Sequence, residues 1–327
     1  MKTANTANSV INRVLAQHPV KAKSKSTTAA APVAKKAATR KPKQQTELEV
    51  PDVSEVKAMI KALKAPALPA LPDAPIQTLV AVILDESGSM SHGCEQTMKG
   101  YNDQMKALCK TSAKIGCRVM QTTFQSSARI IADDVSPDDI VPLSAETYNP
   151  GGGTALYDTV AAVVKRLLTH PLAHQDNTSI LLMITTDGED TSSRIWNASS
   201  RLTEFRSLMK VVSNNERWTV ALTGPDLMLR QFSDEMSADP ENVAAFEPTD
   251  LVSRAGAMNS SIHAMNHYTS LRSMGTKKAT MMHAGTLAAR LRQLIAKFRL
   301  FWPAAPMKST TYQRFSENMC NGTFCYL

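Results

Sequence analysis

The chain of 327 residues lacks any apolar stretch close to the roughly 20 residues that a membrane-spanning helix needs. Its N-terminus has no uninterrupted apolar segment of the kind found in secretory signal peptides. Cysteine is scarce, with 5 residues, and an odd count without a secretory signal favours reduced thiols. We therefore expect a cytoplasmic protein without a transmembrane segment. An organelle-targeting sequence is a minor alternative, because residues 1–46 are basic and contain no acidic residue.

Positive charge is concentrated at the N-terminus. Residues 1–46 carry ten Lys and Arg and no Asp or Glu, whereas residues 76–327 carry 24 of each kind. The low-complexity segment 20–46 has almost no large apolar side chains, so it cannot bury enough surface to offset its chain entropy. We expect a disordered basic tail over residues 1–52. Such a tail could bind nucleic acid or an acidic partner, or only keep the chain in solution.

The flanks of the central region have their own patterns. Residues 53–64 have apolar side chains at helical spacing, and prolines then recur every third residue up to position 75, as on one face of a polyproline II helix. Residues 53–75 are thus predicted to be a short amphipathic helix and a spacer. A helical extension and tail are predicted over 273–327. Its basic amphipathic segment, 282–302, could pack on the domain, bind a partner or oligomer mate, or lie on a membrane surface.

The central region alternates buried strands with helices. Residues 76–85 and 179–186 are continuous apolar runs that end in polar, glycine-containing turns, which is typical of parallel strands buried on both faces. Residues 117–124 and 128–133 predict a hairpin. Segments of helical periodicity separate the strands, so an α/β sheet covered on both faces is expected. Binding sites in such sheets lie beyond the carboxyl ends of the strands.

Three polar segments occupy those strand ends. They are Asp85-Glu86-Ser87-Gly88-Ser89 after the first buried strand, Gly151-Gly152-Gly153-Thr154 before a helix, and Asp187-Gly188 after the second buried strand. Two carboxylates and three hydroxyls, without Cys or His, suit Mg²⁺ or Mn²⁺ rather than Zn²⁺. Two carboxylates, some of them acting through water, leave such an ion short of directly coordinated negative charge, so a carboxylate from another molecule could fill the open position. The predicted metal ligands are Asp85, Ser87, Ser89, Thr154 and Asp187.

Taken together, these residues resemble the metal-ion-dependent adhesion site of the von Willebrand factor A family. The family pattern is Asp-X-Ser-X-Ser after the first strand, a Thr before a later helix and an Asp-Gly after the fourth strand, and all five positions are filled here. The resemblance covers roughly residues 76–272. The runs DESGSM and TTDGED are most similar to stand-alone bacterial and phage members.

The resemblance implies both a fold and a function. The fold would be a Rossmann-like, doubly wound, mostly parallel sheet with one antiparallel edge strand. Ser87, Ser89 and sometimes Thr154 would touch the metal directly, while Asp85 and Asp187 would act largely through water. The family typically binds a partner protein through an acidic side chain of that partner. A metal-dependent protein-binding module is therefore the expected function, and a nucleic-acid-associated protein using the basic tail is the alternative.

Enzymatic readings fit the sequence less well. A phosphohydrolase of the haloacid-dehalogenase kind needs a second Asp two residues after Asp85, where this chain has Ser87. A phosphate-binding loop needs a Lys before Thr154, and none is present. We expect a protein that is not an enzyme, with a metal-dependent hydrolase as the minor alternative. Four further acidic residues near the ligands are expected to be solvated loop charges, with hydrogen bonding to metal-coordinated waters as the alternative: Glu86, Asp158, Glu189 and Asp190.

Overall fold

The computed structural model describes residues 46–281, apart from 72, 113–114, 198, 248 and 280. Within them, seven strands are β1 (Thr46–Glu47), β2 (Gln77–Asp85), β3 (Gly116–Phe124), β4 (Ala128–Val135), β5 (Thr178–Thr185), β6 (Trp218–Pro225) and β7 (Val243–Phe246). Six α-helices are α1 (Val53–Lys64), α2 (Cys94–Thr111), α3 (Leu156–Leu168), α4 (Ser199–Asn214), α5 (Asp226–Met236) and α6 (Leu251–Ser273).

The strands form one sheet in the order β1-β4-β3-β2-β5-β6-β7. Strands β3, β2, β5, β6 and β7 are parallel, and β4 is antiparallel to β3. This confirms the predicted Rossmann-like, mostly parallel sheet with one antiparallel strand. Among the described residues, the two-residue strand β1 pairs with the outer side of β4 and forms the edge of the sheet there. The chain runs outward in both directions from the central β2. The loops that follow β2 and β5 are therefore neighbours at the carboxyl edge of the sheet.

Helices cover both faces of the sheet. Because successive strand residues point to opposite faces, β2 directs Leu79 and Ile83 into one apolar core and Val80 and Leu84 into the other. Helices α1, α3, α4 and α5 pack on the first face, and α2 and α6 on the second. Burial on both faces explains why β2 and β5 read as unbroken apolar runs in the sequence.

The last part of the predicted tail, residues 46–52, belongs to the fold. Strand β1 pairs with β4, and the N–H of Leu48 donates to the carbonyl of Ala128 at 3.2 Å. Asp52 then caps α1: its carboxylate accepts from the N–H of Glu55 at 2.8 Å, and the carboxylate of Glu55 accepts from the N–H of Asp52 at 2.9 Å. The remainder of the predicted tail lies outside the described residues.

The segment predicted to be a spacer is hydrogen-bonded to the domain. The N–H of Leu68 donates to the carbonyl of His174 at 2.7 Å, and the N–H of Asp176 donates to the carbonyl of Leu68 at 2.9 Å. Helix α1 buries its apolar face in the first core. The predicted C-terminal helix, 282–302, lies outside the described residues. None of the helices in the described part of the chain is long and apolar enough to span a membrane.

Candidate metal centre

Asp85, the last residue of β2, is fully buried. Its carboxylate accepts a hydrogen bond from the N–H of Ser87 at 2.7 Å and another from the hydroxyl of Thr186 at 2.6 Å. Burial raises the pKa of Asp85 to about 6; the two hydrogen bonds oppose this shift and the nearby charge of Asp187 adds to it. The carboxylate is thus held in one orientation, in a place that disfavours its charge.

Ser87 and Ser89 lie in the short 3₁₀ turn that follows β2. Their hydroxyl oxygens are 3.0 Å apart, and the hydroxyl of Ser89 donates to Oδ1 of Asp187 at 2.6 Å. The N–H of Gly88, between them, donates to the carbonyl of Gly152 at 3.2 Å. The turn after β2 is therefore tied directly to both of the other polar segments.

Thr154 stands two residues before α3 and is buried. Its N–H donates to Oγ1 of Thr191 at 3.0 Å, and its carbonyl accepts from the N–H of Thr191 at 2.8 Å. Gly152, at φ +68°, provides a left-handed turn that leads the chain to this position. A β-carbon placed on Gly188 would lie 3.3 Å from Oγ of Ser89 and 3.6 Å from Oγ1 of Thr154. Glycine there leaves room for both hydroxyls.

The structure thus brings the five predicted ligands together at the carboxyl edge of the sheet. It also adds to this cluster a residue that was not among the predicted ligands. Arg254, in the first turn of α6, is 1% exposed, and its Nη2 donates to Oδ2 of Asp187 at 3.0 Å. Its guanidinium carbon lies 4.8 Å from the ring centre of Phe246, and its Nη1 lies 3.9 Å from the sulfur of Met90.

A weak sequence signal for Arg254 existed. A cation in the first turn of a helix lies near the positive end of the helix dipole, where it is unfavourable unless an anion compensates it. The position of Arg254 therefore indicates an acidic partner. It does not say which one, because Asp187 is 67 residues away in the chain.

Glu86 lies between two predicted ligands in the chain, and its carboxylate is buried rather than solvated. It is 1% exposed. Its carboxylate accepts from Nη2 of Arg129 at 2.6 Å and from the N–H of Asn149 at 2.6 Å. The carbonyl of Glu86 also accepts from the N–H of Gly151 at 2.9 Å. Glu86 thereby fixes the loop that leads into the glycine-rich turn.

Two other acidic residues hold the opposite side of the cluster. The carboxylate of Asp158 accepts from the backbone N–H groups of residues 194–196 at 2.7 to 3.2 Å. Asp190 accepts from the N–H of Tyr157 at 2.9 Å. Both carboxylates fasten the loop after β5 to the start of α3. The expectation of solvated charges was wrong for Glu86, Asp158 and Asp190. Their carboxylates are the acceptors that Arg129 and several loop N–H groups need. Glu189 is exposed, as expected.

The donor set fits a hard divalent cation. An octahedron of oxygens at about 2.05 Å from Mg²⁺ places adjacent ligands about 2.9 Å apart. The hydroxyl oxygens of Ser87 and Ser89 are separated by 3.0 Å. The described residues contain no group of three or more His, Cys, Asp or Glu side chains placed to hold a metal. The oxygens of the cluster come from hydroxyls and carboxylates, which Mg²⁺ and Mn²⁺ prefer and which are not the usual ligands of Zn²⁺.

No family model matches the chain, and no curated protein matches it. Among solved structures, the chain is similar to the PilB minor pilin from Streptococcus sanguinis, with 13% identity, 60% of this chain and 63% of that chain covered, and a TM-score of 0.43. The ArnB paralog VWA2 from Sulfolobus acidocaldarius has 13% identity, with 57% and 46% covered and a TM-score of 0.38.

A third similar structure is the manganese-loaded TRAP protein of Plasmodium vivax. Its identity to this chain is 15%, with 55% of this chain and 73% of that chain covered and a TM-score of 0.39. The chain spans 63% of the minor pilin and 46% of VWA2, which is less than two thirds of either. The Rossmann-like architecture follows from the strand order and the two buried faces of the sheet.

Proposed function

We propose that this protein is a metal-dependent protein-binding module. Mg²⁺ or Mn²⁺ at the cluster would capture an Asp or Glu side chain of a partner protein. The observation that carries the proposal is the convergence of three loops on one small set of oxygens. Ser89 is hydrogen-bonded to Asp187, and Gly188 packs against Thr154. The proposed ligands are Asp85, Ser87, Ser89, Thr154 and Asp187.

Each residue has a defined part in the proposed site. The ion, when bound, supplies a Lewis-acidic position that a carboxylate can occupy. Ser87 and Ser89 present their hydroxyl oxygens at the spacing of adjacent ligands. Asp85 and Asp187 supply the negative charge, and Thr186 and Arg254 orient those two carboxylates through hydrogen bonds.

The first test is calorimetric titration of Mn²⁺ and Mg²⁺ into the full chain. We expect saturable binding to one site that is lost in Asp187→Asn, a variant that keeps hydrogen-bonding atoms beside Ser89 and Arg254. The matched control is Asp103→Asn, since Asp103 pairs with Lys99 and Lys106 on the surface of α2, away from the cluster. Equal binding by Asp187→Asn and wild type would contradict the proposed site.

The second test concerns the captured group. A fluorescent peptide with a single glutamate is titrated with the protein in Mn²⁺, beside the same peptide with glutamine. Anisotropy should rise for the glutamate peptide only, and EDTA should abolish the rise. Binding that survives the chelator, or that is equal for both peptides, would rule out metal-mediated capture of a carboxylate.

A second candidate function rests on the charge of residues 1–46, which carry ten basic and no acidic residues. An arm of this kind would bind nucleic acid or an acidic partner, with the folded domain as scaffold. Affinity for duplex DNA should then fall steeply with salt and disappear when residues 1–46 are deleted. A hydrolase is the weakest alternative, and would be recognised by metal-dependent turnover of phosphoester substrates. Cytoplasmic location stays a prediction.

A further inference from the structure

Arg254 is the one cation that enters the proposed metal site in the described part of the chain. Its side chain and that of Asp187 are 2% and 4% exposed, and they form an ion pair at 3.0 Å. Of the other acidic residues near the ligands, Glu86 is neutralised by Arg129 at 2.6 Å, whereas Asp158 and Asp190 accept backbone N–H groups and Glu189 is exposed. Among the proposed ligands and the groups in direct contact with them, the charges are those of Asp85, Asp187 and Arg254.

The hydrogen bonds of Arg254 are incomplete. A guanidinium has five N–H donors, yet within the described residues that of Arg254 makes a single hydrogen bond to oxygen, and its buried Nε has no partner there. Its other neighbours are the sulfur of Met90 and the ring of Phe246. A buried cation with so few acceptors is held mainly by the charge of Asp187. The positive charge of Arg254 therefore acts mainly on the carboxylate of Asp187.

A charge count gives the consequence. A divalent cation beside two carboxylates alone makes a neutral site. With the charge of Arg254 added, the same site carries one net positive charge in a buried environment, where unpaired charge is unfavourable. One anionic ligand restores neutrality.

We infer that Arg254 makes the site dependent on a carboxylate ligand: it weakens binding of the metal alone and so couples metal binding to capture of the acidic side chain. This inference rests on the proposed function and deepens it. Arg254 is a positioning residue here, because it acts through Asp187 and does not contact the partner. Without Arg254 the site would fill with metal in the absence of any partner.

The test is calorimetric titration of Mn²⁺ into the full chain in chloride and in acetate at equal ionic strength. In wild type, acetate should tighten Mn²⁺ binding. In Arg254→Gln, Mn²⁺ should bind about tenfold or more tightly in chloride, because one nearby positive charge is removed, and acetate should have little further effect. Arg254→Lys, which keeps the charge, should retain the wild-type response to acetate.

Two further variants make the test secure. Arg254→Met can pack against Met90 and Phe246, and it should behave as Arg254→Gln does, so it serves if the glutamine variant fails to fold. Arg166→Gln is the matched control, since Arg166 also pairs with an aspartate, Asp133, at 2.6 Å, but away from the site. It removes the same unit of charge and should leave Mn²⁺ binding unchanged.

The outcomes separate this inference from the proposed function. If wild type and both neutral variants bind Mn²⁺ equally tightly, with the same response to acetate, Arg254 has only a structural role and the inference is overturned while the metal site stands. A wild-type affinity that is indifferent to acetate also overturns it. If none of these proteins binds Mn²⁺, with or without acetate, the proposed metal site itself is wrong.

Discussion

Helix α6 places a buried arginine at each end of the sheet, and the two are held very differently. Arg272, near the C-terminus of α6, donates to the backbone carbonyls of Gln77 at 2.9 Å and Asn177 at 3.3 Å, and also to that of Thr276. The guanidinium of Arg254, at the other end of the helix, has a single oxygen acceptor in the part of the chain that the structure describes, on Asp187. The two ends of β2 that these arginines adjoin are about 26 Å apart.

The difference separates a well-satisfied buried charge at one edge of the sheet from electrostatically unfavourable charges at the other. At the amino edge, Arg272 donates to three backbone carbonyls, so its charge is well solvated by the protein. At the carboxyl edge, Asp85 is buried where its charge is disfavoured and Arg254 is short of acceptors. Groups held in unfavourable electrostatic states concentrate at functional sites, because a ligand can relieve them.

The largest effect expected at the carboxyl edge comes from Asp85→Asn. Loss of a charged ligand should weaken Mn²⁺ binding more than about a hundredfold. The same change should raise the free energy of unfolding of the metal-free protein at pH 7.5 by up to about 3 kcal/mol, since the pKa of Asp85 is raised from 3.8 to about 6. Calorimetry and urea unfolding measure the two effects. If Asp85→Asn binds Mn²⁺ as wild type does, or is strongly destabilised, the carboxyl edge does not differ from the amino edge in the way described.

The opposite result is expected at the amino edge. Arg272→Met should lower the free energy of unfolding by about 3 kcal/mol, because it removes three charge-assisted hydrogen bonds to backbone carbonyls. Mn²⁺ affinity should be unchanged in the fraction that is folded. Urea unfolding beside calorimetry on the same preparation checks both statements. A parallel loss of metal affinity would show that the two edges are not independent.

The pH dependence should have opposite signs for binding and for stability. Protons compete with the metal for Asp85, so Mn²⁺ affinity should fall about tenfold for each pH unit below about 6. The folded protein holds the proton of Asp85 more tightly than the unfolded chain. The unfolding free energy of the metal-free protein should therefore decrease as the pH rises from about 4 to about 6. Asp85→Asn is the control for the stability trend and should lack this component.

The smallest effect is expected at a glycine of the carboxyl edge. In Gly188→Ala the added β-carbon lies 3.3 Å from Oγ of Ser89, so the hydroxyl must shift by a few tenths of an ångström. Mn²⁺ affinity should fall by a factor of about three, with a stability change under about 1 kcal/mol. The control is Gly256→Ala in α6, where, among the described residues, nothing beyond its chain neighbours and the adjacent backbone of the helix lies within 4 Å of the new carbon. It should stabilise the protein by about 0.5–1 kcal/mol and leave binding unchanged.

Much of the fold could be predicted because its elements have strong periodicity. Strands β2 and β5 are buried on both faces, and helix α3 has a long apolar stripe. Strand β1 could not be found in this way, since a two-residue pairing has no period. The hydrogen bonds of the proline-rich segment are likewise long-range: Leu68 pairs with residues more than a hundred positions away.

The positions of the candidate ligands were accessible from sequence because each follows or precedes a recognisable element at one edge of a parallel sheet. The electrostatic partners were not. Arg254 and Asp187 are 67 residues apart, and Glu86 and Arg129 are 43 apart. Local pattern indicates that a charge is present, whereas only the packed chain determines which opposite charge meets it.

Loop shape and metal chemistry are assigned to different residues in this cluster. Glu86, Asp158 and Asp190 hold the loops without being proposed ligands, while the hydroxyl of Ser87, a proposed ligand, is hydrogen-bonded to Ser89 in the same turn. A mutation of Ser87 would therefore remove a proposed ligand and leave the loops in place. If the proposed site binds metal, descendants of this chain could lose or weaken that binding by drift while the fold persists, and could regain it by reverting one codon.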